Sequence, residues 1–138
     1  MGSYRSGDRV VAQRTVQTLT ATATGATTGQ ILDGVGFATC TANGSDVTNC
    51  ICLPSIALGK EIFIMAGVAC ELRAKIGAIS NSINGLATTD GSGDAARELA
   101  LAASSLYHAV AVSATAWVVT KVPVADGAPV TPGAANGL

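Results

Sequence analysis

The rhythm of the block Ile51–Val122 constrains the fold more than any other feature of this chain. The block is a series of short phrases: Leu53-Pro54, then Gly59-Lys60-Glu61-Ile62-Phe63-Ile64, then Ile83-Asn84-Gly85-Leu86, and last Ser113-Ala114-Thr115-Ala116-Trp117-Val118-Val119. Each phrase is a strand, a strand end or a turn. Short strands at regular spacing, with turn signals between them, predict an all-β domain: a small β-sandwich or a barrel-like fold.

The rest of the chain continues the pattern. Arg14–Thr24 is Thr-rich and β-branched, with Val16, Thr18 and Thr20 on one face and Gln17, Leu19 and Ala21 on the other. Gln30–Leu32 and Val35–Cys40 read as short strands broken by Asp33-Gly34, and Thr41–Asn49 as a polar loop with Asn43-Gly44 at its tip. Lys60–Met65 is the most apolar strand. In Glu71–Ile76, Leu72, Ala74 and Ile76 alternate with Glu71, Arg73 and Lys75, which predicts a half-buried edge or outer strand with its charges in water. Ala95–Ala103 has helix-like composition. Leu106–Ser113 and Ala116–Val122 predict a terminal hairpin joined at Ala114-Thr115.

These strands give three segments: an arm at residues 1–13, a β domain at 14–122, and a Pro/Gly-rich arm at 123–138 with no core of its own. At 138 residues the chain is long enough for one domain that buries about two-thirds of its unfolded surface. Five aromatic residues (one Trp, two Tyr, two Phe) leave Val, Ile, Leu and Ala to fill that core. Charged residues are 12% of the chain, about half of the usual ~25%. The net charge of −1 gives no field to attract nucleic acid or an anionic membrane. Such a sparsely charged surface reads either as one covered by other subunits or as an ordinary uncharged polar one.

One stretch invites a membrane reading. Leu99–Thr120 contains no ionisable group except Tyr107 and His108. Four hydroxyl residues, the dominance of Ala over Leu, and the period of two from Leu106 to Ser113 argue instead for strands of a soluble domain. Met1–Arg14 has no apolar segment resembling a secretion signal.

Candidate chemistry is thin. There is no nucleophile elbow, no zinc-protease motif and no phosphate-binding glycine loop with Lys. A Ser/His/Asp triad would depend on His108, which falls mid-strand. Asp90, Ser92 and Asp94 offer oxygens to a calcium ion but lack the further carboxylates of a calcium loop. Asn43-Gly44-Ser45 fits a glycosylation sequon, which matters only in a eukaryotic secretory pathway. Cys50 and Cys52 share one strand face and cannot pair with each other. With no C-x-x-C and one His, the four cysteines read as small buried apolar residues, with a Cys40–Cys50 bridge as the alternative in an oxidised particle. Neither catalytic, cofactor-binding nor metal-ligating residues are predicted, and the chain reads as a non-enzyme.

The arms carry the remaining candidates. Arg5, Arg9 and Arg14 could form bidentate pairs with acidic groups of a neighbouring subunit, or be an ordinary solvated terminus. Three cations with Tyr4 as their lone aromatic make a poor nucleic-acid site. Pro123, Pro129 and Pro132 mark the second arm.

Taken in order, the phrases of Ile51–Val122 resemble a family of tailed-bacteriophage head-decoration, or capsid cement, proteins. The resemblance covers about half the chain, with weaker support from Arg14–Thr24. It implies a small all-β domain that oligomerises, commonly as a homotrimer. Such a protein is made in the host cytoplasm, binds the outer surface of an assembled shell, and reinforces contacts between copies of the major capsid protein. His108, the loop Thr41–Asn49, the cysteines and the long tail depart from the family's pattern. The two arms, with Arg5, Arg9, Arg14, Pro123, Pro129 and Pro132, are the expected capsid or subunit contacts. A tail-fibre or receptor-binding tip domain is the competing reading, and it would use exposed aromatics, for which only Trp117 and Tyr107 are candidates, both in strands that read as core.

Overall fold

The computed structural model describes residues 15–75, 81–87 and 98–123. Ten strands appear in chain order: β1 (Thr15–Thr20), β2 (Val35–Ala42), β3 (Cys50–Cys52), β4 (Glu61–Ala66), β5 (Cys70–Arg73), β6 (Ser82–Ile83), β7 (Leu86–Ala87), β8 (Leu99–Leu101), β9 (Ser105–Ala111) and β10 (Ala116–Lys121). One 3-10 turn lies at Thr27–Gly29. The all-β class is as the sequence predicts. The strands form a seven-stranded sheet ordered β1-β2-β4-β9-β10-β6-β7 and a three-stranded sheet ordered β3-β5-β8. Inward side chains of both sheets meet in one apolar core, which makes the fold a sandwich rather than a closed barrel.

The chain winds between the layers. β1, β2 and β4 lie parallel in the large sheet, with Leu19 beside Cys40 and Cys40 beside Ala66. Each link between them passes through the small sheet. Residues 21–31 touch it through bridges Thr22–Cys50 and Gln30–Cys52, and β3 then pairs parallel with β5. β9 and β10 form the expected antiparallel hairpin within the large sheet, with Val118 beside Val110, and β6 and β7 lie beyond β10.

Period-two alternation sets the core. Leu19, Ala38, Cys40, Ile62, Ile64, Ala66, Tyr107, Ala109, Ala111, Trp117 and Val119 point inward from the large sheet; Ile51, Cys70, Leu72 and Leu101 meet them from the small one. Trp117 is the largest fully buried side chain. Tyr107 is buried with its hydroxyl oxygen accepting the Ala102 N–H at 2.8 Å. The outer edge of β1 is tied down by Gln17, whose amide donates to the Gln30 carbonyl (3.0 Å) and accepts from the Leu32 N–H (2.9 Å). That covering limits strand addition at this edge.

Three expectations need correction. Arg73 is fully buried, not in water, because residues 23–25 lie over its side of the sheet. β5 is the central strand of its sheet, paired on both sides, rather than an edge. The part of Ala95–Ala103 that is described is strand β8 and a turn: pairing of Leu99–Leu101 with β5 overrides its helical composition. The first arm, residues 76–80 and 88–97 (with Asp90, Ser92 and Asp94), and residues 124–138 lie outside the described residues.

Candidate functional site

Two places concentrate unusual side chains. The first is the outward face of the small sheet. Cys50 stands beside Glu71 and Cys52 beside Arg73 across the β3–β5 ladder. Alternation therefore puts these four on the face opposite Ile51 and Leu72, and Glu98 joins them just before β8. The turn Ala23–Gly25 caps the group. The Thr24 carbonyl accepts from Arg73 Nη1 (3.4 Å) and from the Cys52 thiol (3.4 Å). Gly25 has φ +77°, and any Cβ there would collide with the Cys52 sulfur, so both conformation and space demand glycine.

The charges in this group are arranged to offset one another. Arg73 Nη1 lies 3.6 Å from Glu98 Oε1, with the two side chains 0% and 5% exposed. The Cys50 thiol donates to the same Glu98 oxygen at 3.2 Å. Burial, then the hydrogen bond and negative charge of Glu98, push the Cys50 thiol up to about 12. It stays protonated near neutrality and is a poor nucleophile. Partial burial, then the hydrogen bond to and charge of Glu98, raise the Glu71 carboxyl to about 7.

Ligand atoms of Cys50, Glu71 and Glu98 lie within 4.8 Å of one another, a spacing compatible with a metal ion. The Arg73 guanidinium already supplies the counter-charge, while the Cys50 thiol holds its proton at neutral pH and Glu71 is only partly ionised. We read the group as a buried structural cluster. Sequence reasoning missed it because the capping turn and Glu98 are far from β5 in the chain.

The second place is the outward face of the seven-stranded sheet. Register lines up Val16, Phe37, Phe63, His108 and Thr120 as one row across five strands. Thr18, Thr39, Met65 and Leu106 form the next row, and Glu61, Val110 and Val118 flank the first on the other side. Phe63 and His108 stack with ring centroids 4.5 Å apart and planes 12° off parallel. His108 Nε2 sits 3.5 Å from Glu61 Oε2. Val16 is 66% and Val118 41% exposed, while Phe37, Phe63, Met65, Leu106 and Val110 are half-buried. On β9 Tyr107 and the small Ala109 and Ala111 face the core, while Leu106 and Val110 face outward.

Of the predicted contact residues, Arg5, Arg9, Arg14, Pro129 and Pro132 lie outside the described residues. Pro123 is exposed and borders an open hollow of ≈ 470 Å³ with Met65, Leu106 and Lys121, at one end of this apolar face. Trp117 and Tyr107 are buried, as their places in core strands predict. His108 sits on the outward face. The four cysteines are buried and none is in a disulfide. A Cys40–Cys50 bridge is ruled out by placement: Cys40 faces the core and Cys50 the far side of the small sheet. Among the described residues no helix is long and apolar enough to cross a membrane. No protein-family profile, curated protein or solved structure matches the chain.

Proposed function

We propose that this chain is a virion structural protein. It binds the outer surface of an assembled tailed-phage head as a homo-oligomer, commonly a trimer in proteins of this kind, and stabilises contacts between major capsid subunits. The observation that carries the reading is the broad outward face of the large sheet, where Val16, Phe37, Phe63, Met65, Leu106, Val110 and Val118 sit among threonines with one acid–histidine pair. Contiguous apolar surface of that kind suits protein–protein contact. The resemblance of Ile51–Val122 to head-decoration proteins supports the same role. Repeated weak contacts on a lattice multiply, so no single contact need be strong.

Action by binding rather than catalysis fits the capped cluster and the inert Cys50 thiol. The arms at residues 1–13 and 123–138 remain proposed second grips. A tail-fibre tip is the weaker reading, because the two aromatics it would use, Trp117 and Tyr107, are buried. The test is to incubate the purified chain with undecorated heads of the parent phage, sediment them and image the particles. Density on the outer shell is the expected result. Binding to host cells with bare heads would overturn it in favour of the fibre reading.

A further inference from the structure

Cys40 and Cys70 come from different layers and meet in the core. Cys40 faces inward from β2 beside Ala66 of β4. The Gly67 N–H donates to the Cys40 carbonyl at 2.9 Å, in a contact so close that a Cβ on Gly67 would lie 2.9 Å from the same oxygen. Only Val68 and Ala69 then separate this point from Cys70, which faces inward from β5 beside Leu101. The two sulfurs are in hydrogen-bonding contact, with the residues 0% and 2% exposed. Cys50 and Cys52 lie across the small sheet, on its far face, engaged with Glu98 and the Thr24 carbonyl.

We propose that Cys40 and Cys70 are a site of oxidative modification, closing to a disulfide that bolts the two sheets together. A hydroperoxide is the oxidant. The Cys40 thiolate attacks one peroxide oxygen, the O–O bond breaks, and the departing hydroxide takes the proton that Cys40 released, giving a sulfenic acid and water. The Cys70 sulfur then attacks the Cys40 sulfur; the S–S bond forms and hydroxide leaves with the Cys70 proton as a second water. Two thiols are oxidised and one peroxide is reduced. The Cys70 S–H, donating to the Cys40 sulfur, is the largest influence lowering the Cys40 thiol, against the effect of burial, and the same contact raises Cys70, so Cys40 is the thiol that ionises first. This favours the attacking thiolate. The bridge would close the loop from Cys40 to Cys70 and restrict the unfolded chain.

The test uses the full chain, reduced, freed of reductant and treated with one equivalent of hydrogen peroxide. The intact mass should fall by two hydrogens, and the unfolding temperature should rise by about 10 °C. After free thiols are blocked, trypsin cleavage following Lys60 and Arg73 places Cys70 in peptide 61–73 and the other cysteines in peptide 15–60. The proposal expects these two peptides to be linked, both in the natural chain and in a Cys50→Ser/Cys52→Ser variant. Fragmentation of the linked natural pair assigns the bond even if that variant folds poorly. A bridge confined to peptide 15–60, a link through Cys50 or Cys52, or no mass loss would overturn it.

Discussion

Arg73 carries a full charge at zero exposure, with Nε and Nη2 making no hydrogen bond among the described residues. Removing one member of such a pair strands the other charge in a dry site. Arg73→Met should therefore destabilise the domain by about 3–5 kcal/mol, and adding Glu98→Leu should recover most of the loss. Urea unfolding of the two variants measures this. The same cluster makes stability depend on pH. Because Glu71 titrates higher in the folded chain, near 7 against its ordinary 4.5, the folded state holds a proton that the unfolded state releases. That contribution favours folding less and less as pH rises from about 4.5 to 7. Glu71→Gln should lose less stability than the natural chain between pH 5 and pH 8, read from urea midpoints; equal losses would show that Glu71 does not titrate in that window. Period two alone put Arg73 in water with Glu71 and Lys75. Its true place depends on Ala23–Gly25, and no local pattern reports such a distant cover.

Elements were legible where their chemistry is local. The Asn84-Gly85 turn joins β6 and β7 with φ +49° and +84°, as its sequence predicts. Asn84 does more than turn the chain. Its side-chain amide donates to the Val119 carbonyl (2.9 Å) and accepts from the Val119 N–H (2.8 Å), extending by one step the short parallel pairing of β6 with β10. Asn84→Ala should cost roughly 2–3 kcal/mol through two lost hydrogen bonds to buried backbone and a strained φ. Asn84→Gly would relieve the strain and not the bonding, so its loss should be smaller but still measurable; no loss in either variant would contradict this role. The hairpin β9–β10 was also readable, from alternation and turn residues. Partners of β1 to β5 were not. Parallel pairing there depends on links that run through the other sheet, and adjacent phrases in the sequence belong to different layers.

At the scale of the whole molecule, the rhythm of strands and turns foretold an all-β domain and composition a core thin in aromatics, and in the structure Trp117 is the largest fully buried side chain. What composition could not show was which side chains remain outside. On β9 and β10, Leu106, Val110 and Val118 face away from the core because the inter-sheet space beside Trp117 takes Ala109, Ala111 and Val119 instead. That outward set is the face proposed above for docking. The most direct measurement adds two variants to the head-binding experiment, Val16→Glu and Val118→Glu, both at exposed positions where folding should be little changed. Copies bound per head are counted after sedimentation. The account predicts full occupancy by the natural chain and an affinity at least about tenfold lower for each variant, the cost of burying an unpaired carboxylate at a contact. Unchanged occupancy by both variants would contradict it.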